Sequence, residues 1–174
     1  MKLLDSIKSI FGSNAGAGDA RTPAAEVDPV HLAACALLLQ VAHADGEFSA
    51  EEKRHLEGAL ERHFDLPPEG GRRLLELAEE ERREAIDQYR FTSVVKKNYD
   101  LGQKMTLAEV MWGLVLADGE ISEHEQYLTR KIANLLDLKP GYLSTAKAAA
   151  AKATAAKAAA ASAVAERGGG EGVE

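Results

Sequence analysis

Apolar residues recur three and four positions apart along most of this chain, and no stretch sustains the two-residue alternation of a strand. Asp28-Pro29 supplies an N-cap followed by proline at the first helical position, which predicts a helix running to about Asp45. Ser49 opens a second helix that ends near Asp65, ahead of Pro67-Pro68. A charged helix follows from Arg72 to about Ala85, with Leu74, Leu75, Leu77 and Ala78 as its apolar face and Glu79 to Glu84 as a solvated one. Tyr89, Phe91, Val94 and Val95 mark a short helix between Ile86 and Tyr99. Two more are predicted from about Gln103 to Asp118 and from Ser122 to about Leu136. Several helices with short connections imply an all-α protein, a compact helical bundle spanning residues 28–140.

The ends have other patterns. Residues 1–12 place Leu3, Leu4, Ile7, Ile10 and Phe11 on one face of a short amphipathic helix. That face suits core packing, a partner or peripheral contact with a membrane surface. Residues 13–27, rich in glycine and alanine, read as a flexible linker. Within residues 141–174 the stretch 144–165 is mostly alanine, with Lys147, Lys152 and Lys157 five apart. Five residues turn an α-helix by about 140° beyond a full circle, so these lysines spiral instead of forming a stripe. With little large apolar surface, the segment is expected to be a solvated, partly helical, low-complexity extension that folding does not need.

Charge narrows the function classes. The chain carries a net −7 over 174 residues, and the tail from residue 141 is slightly basic, so the rest is more acidic still. An acidic domain argues against specific nucleic-acid binding and suits a cation or a basic partner surface. The single cysteine, Cys35, stands in an apolar run and is expected to be a buried hydrophobe. With no disulfide framework, no signal peptide and no membrane span in view, the sequence reads as cytoplasmic, with membrane association open only through the N-terminal helix.

One motif occurs twice. Ala44-Asp45-Gly46-Glu47-Phe48-Ser49 leads to Glu52, and Ala117-Asp118-Gly119-Glu120-Ile121-Ser122 leads to Glu125, at a constant offset of 73 residues. The chain therefore reads as two pseudo-repeated helix–acidic loop–helix units. A purely structural account covers much of the motif. Each glycine can close a helix in the left-handed conformation, and each Ser-x-x-Glu is a capping box. The aspartates fit that account less well, because a carboxylate near a helix C-terminus faces the negative end of the macrodipole, at a cost of about 0.3–1 kcal/mol. Something positive nearby would explain them. Carboxylates without cysteine or paired histidine favour calcium, magnesium or manganese. The candidate ligands are Asp45, Glu47, Glu52, Asp118, Glu120 and Glu125. The spacing is not that of an EF-hand, and one loop alone offers too few oxygens.

The histidines add little. His43 neighbours the first loop, but Leu116 stands at the matching place in the second. His55 and His63 lie two turns apart, too far to chelate, and His124 falls inside a capping box. No nucleophile–base pair, phosphate loop or H-E-x-x-H occurs, so the sequence predicts no enzyme.

The doubled signature, with Tyr89-Arg90-Phe91 between its copies, resembles the TerB-like family of tellurite-resistance-associated proteins. It also looks like the N-terminal region of membrane-anchored DnaJ-like cochaperones. The TerB resemblance implies an all-helical domain with an acidic patch, proposed divalent-cation binding and a link to stress response and membrane-associated complexes. The function expected is a scaffold or sensor acting on a protein partner. The alternative is a metal-independent module whose acidic patch docks basic side chains.

Overall fold

The computed structural model describes residues 27–46, 48–86, 89–117, 119 and 121–168. The N-terminal amphipathic segment and nearly all of its linker lie outside them. Every regular element among the described residues is an α-helix. These are α1 (Pro29–Ala42), α2 (Ala50–Phe64), α3 (Pro68–Glu84), α4 (Tyr89–Asn98), α5 (Leu101–Val115), α6 (Glu123–Leu135) and α7 (Pro140–Gly168).

Two helices are apolar nearly all round and lie at the centre, as such helices must. In α1, nine residues between Ala33 and Ala42 are buried, and in α5 the buried set runs from Leu107 to Val115. The amphipathic helices α2, α3, α4 and α6 turn their apolar faces onto this pair. Trp112, Leu38, Leu56, Leu60, Leu74 and Ile132 are among the largest buried side chains of the single core. α1 touches α2 through α6, whereas α5 touches α1, α2, α6 and α7. Each central helix thus meets both its counterpart and the helix that follows its counterpart's acidic loop.

Local chemistry explains the helix starts. Asp28 Oδ1 accepts the Val30 N–H at 2.7 Å, ahead of Pro29. Asp100 and Gln103 form a third capping box, so α5 begins at Leu101, two residues before the expected start. α3 begins at Pro68, four residues earlier than expected, because proline is well suited to a first helical turn. α4 begins at Tyr89, and Ile86 stands fully in solvent outside it.

The C-terminal segment departs from its expected solvation. α7 is one continuous helix, and its first turns lie along α5. Ala146 and Ala150 are buried, Leu143 is half-buried, and Lys147 Nζ sits 4.6 Å from the centroid of the Trp112 ring. The expectation weighed the absence of large apolar side chains. Alanine instead lets two helix backbones approach closely, so a large residue on the partner helix supplies the contact area. Beyond Thr154 the helix is exposed as far as residue 165, in line with the sequence reading.

Candidate acidic-loop site

α1 closes with the His43 N–H donating to Leu39 O at 3.0 Å, then Ala44 N–H to Val41 O at 3.1 Å. α5 closes the same way, with Leu116 N–H to Trp112 O at 3.1 Å and Ala117 N–H to Leu114 O at 3.0 Å. Gly46 and Gly119 then take φ of 92° and 81°, a region open to glycine and poorly tolerated by other residues. The glycines therefore turn the chain three residues past each C-cap and do not cap the helix themselves. Asp45 likewise lies beyond the last turn of α1, where the dipole has largely faded. The dipole argument for a compensating cation loses most of its force there.

Both capping boxes form. Ser49 N–H donates to Glu52 Oε2 at 2.7 Å, and Glu52 N–H donates to Ser49 Oγ at 3.1 Å. In the second loop Ser122 N–H donates to Glu125 Oε2 at 3.3 Å, while the Ser122 hydroxyl oxygen accepts from His124 N–H at 3.2 Å. Glu52 and Glu125 are buried, and each commits one carboxylate oxygen to its cap. Asp45 is exposed. Glu47, Asp118 and Glu120 lie outside the described residues. Among the described residues no three of His, Cys, Asp and Glu gather as a metal-holding group. For a hard cation the described part of the proposed set thus offers a solvent-exposed carboxylate at Asp45 and two buried glutamates shared with caps.

The first loop has a neighbour that sequence reasoning assigned to solvent. Glu79 of α3 is largely covered: His43 Nε2 lies 3.4 Å from its Oε2, Arg82 bonds both its oxygens at 2.7 and 3.0 Å, and Arg83 Nε reaches Oε1 at 3.1 Å. The hydrogen bonds from Arg82 hold the Glu79 carboxyl below its ordinary range. Burial, followed by the Arg82 charge, pushes the His43 imidazole down, against the opposing pull of Glu79 and Asp45. The His43 ring also lies 5.0 Å from Phe48, centroid to centroid, which leans on the core. Glu81, also assigned to the solvated face, is buried with Arg90 Nη2 at 3.3 Å. The E-x-x-R-R spacing foretells the pairs within α3, but His43 and Arg90 approach from other elements and leave no local signal.

Of the other histidines, His124 enters the second loop's cap through its backbone N–H alone, and His55 and His63 lie on α2 away from the loops. His55 is packed between α2 and α5, while His63 and His124 are exposed. Cys35 is fully buried, and that burial raises its thiol well above the ordinary range, so it acts as a core residue. No described helix is long and apolar enough to cross a membrane.

Compared with known proteins, residues 31–148 match the sequence model of one family, described as tellurite resistance protein TerB. No curated protein and no solved structure matches the chain.

Proposed function

From the premise that this chain belongs to the tellurite resistance protein TerB family, we propose that its two acidic loops act together as one site for a hard divalent cation. Calcium, magnesium and manganese are the ions whose chemistry suits carboxylate donors. The domain works without catalysis, as a scaffold or sensor that presents this site to a protein partner in a stress-response complex. The carrying observation is that both loops leave their helices by the same pair of backbone bonds, turn on a left-handed glycine and enter the next helix through a capping box. Equal loop geometry would give Asp45 and Asp118, with Glu47 and Glu120 beside them, equal places in a shared site. Glu52 and Glu125 would contribute through whatever capacity their caps leave.

A second reading has its own observation. Both glutamates already spend an oxygen on backbone N–H groups, which lowers the number of donors left for an ion. In that reading the loops dock lysine or arginine side chains of the partner without metal. Calorimetric titration of the full chain with each of the three ions separates the two. Binding is expected in the micromolar to millimolar range, with its heat lost in Asp45→Asn combined with Asp118→Asn. No heat with any ion at millimolar concentration rejects the cation site and leaves partner docking.

A further inference from the structure

α1, α2 and the start of α5 surround a cavity of about 410 Å³. Leu38, Leu60, Leu107 and Val110 give it apolar walls, while Tyr99 and Gln103 are among its polar lining. His31 forms one side and stacks on Phe64, with ring centroids 4.4 Å apart and planes 5° from parallel. A second recess of about 140 Å³, lined by Val27, Asp28, Leu66 and Leu74 among others, shares His31 with the first. The two recesses therefore meet at His31, next to the point where the described chain begins. The larger one falls within the roughly 300–1,000 Å³ of cavities that hold ligands.

We propose that these recesses receive the apolar face of residues 3–11 of the same chain. Leu3, Leu4, Ile7, Ile10 and Phe11 share one side of a helix at 100° per residue, and a small domain gains by burying such a face. The tether is long enough. Fifteen residues, 12–26, separate Phe11 from Val27, and a flexible coil of that length spans roughly 20 Å on average. A domain of this size has a radius of gyration of about 14 Å, so the segment reaches either recess from Val27. Tethering also holds the local concentration near the millimolar range, so a contact too weak for two separate molecules is populated. Charge agrees: Asp28 and Asp100 are the acidic residues lining the recesses, and the segment carries Lys2 and Lys8. Arg73, the basic side chain in the smaller recess, has Asp5 as its counterpart. Docking hides the same face that would meet a membrane or partner, so the two states exclude one another. The acidic loops take no part in this contact.

A nitroxide on Ser9→Cys tests the contact in the full chain. Ser9 lies opposite the apolar face, and Cys35 is buried and does not compete for the label. In isotope-labelled protein the amide signals of His31, His63, Gln103 and Thr106 are expected to lose most of their intensity. Adding Ile7→Glu and Phe11→Glu is expected to restore them. Undiminished signals, losses centred on another face, or losses that survive the two glutamates overturn the proposal. Mixing spin-labelled protein with isotope-labelled, spin-free protein is expected to cause no loss. Loss in that mixture identifies the occupant as a second copy and also overturns it.

Discussion

At the first acidic loop His43 reaches across to Glu79 of α3, and Phe48 leans on the core. At the second, half-buried Leu116 takes the place of His43, and Ile121 stands more than half exposed. The loops share a backbone path but are fastened by different physics. Polar contacts to α3 brace the first loop. Behind the second, α7 lies along α5, the helix that delivers it. Similar sequence at the turn thus carries no information about what holds the turn in place. Acid and charge changes should act mainly through the first unit, and loss of the C-terminal helix mainly through the second.

Truncation should separate the units most. A stop after Lys139 uncovers Trp112 and its neighbours on α5, at a cost of about 3 kcal/mol or more by the area they expose. A stop after Lys157 removes no buried position among the described residues, 158–165 being exposed, and should leave the melting temperature nearly unchanged. Thermal unfolding of both truncations checks this, and equal stability would mean that α7 contributes no core contact.

The caps come next. Glu52→Ala and Glu125→Ala each strip a backbone N–H of its partner, worth about 0.5–2 kcal/mol. The cost should be larger at Glu52, whose bond from Ser49 N–H is 2.7 Å against 3.3 Å for its counterpart. Denaturant unfolding of the two variants tests the order, and a larger loss at Glu125 would reverse the comparison.

These caps were legible in the sequence because a capping box is local: four consecutive residues contain both donors and both acceptors. The cover that α7 gives α5 was not legible, since alanine has no large side chain to mark a buried face. What requires that cover is Trp112, which lies more than thirty residues earlier in the chain. Glu79 was misread for a related reason. The run from Glu79 to Glu84 looks solvated by composition, and the side chains that surround Glu79 come from the residue capping α1 and from its own next turn. Of the candidate site, the positions of the loops and the capping role of Glu52 and Glu125 could be read from the motif. How the loops' carboxylates group depends on how the helices cross, which no motif encodes.

Acid should act on the first unit. Burial first, then the Lys157 charge, pushes the His55 imidazole down to about 4, with a hydrogen bond to the Val110 backbone opposing. Its folded value lies below the unfolded 6.5, so folding favours the neutral ring. The associated stability is complete above about pH 6.5 and is lost progressively as pH falls toward 4. Partial solvent access to the ring moderates the loss. Leu128 stands at the matching place in the second unit, so no equivalent loss is expected there. Amide exchange should therefore quicken in α2 more than in α6 between pH 6.5 and 4.5, and His55→Leu should remove the difference.

The smallest expected effect is that of Asp45→Asn in ion-free protein. Asp45 is exposed and lies past the end of α1, so its melting temperature should shift by no more than about 0.5 kcal/mol implies. A larger loss would mean that the first loop needs this carboxylate for its fold.

The packing of His55 against α5 has an evolutionary consequence. A Cβ added to Gly113 would overlap the His55 imidazole, so the ring occupies the space where any other side chain would begin. The matching residue in the first unit is Gln40, so a glycine is not demanded by the repeat itself. Positions 55 and 113 are therefore coupled: a side chain at 113 requires the His55 ring to move aside, while a smaller residue at 55 removes the obstacle. Exchange of the units is therefore asymmetric at this crossing: a copy of the first unit in place of the second would set a glutamine at position 113 against the His55 ring, whereas a copy of the second in place of the first would set leucine at position 55 and leave Gly113 unopposed by the ring.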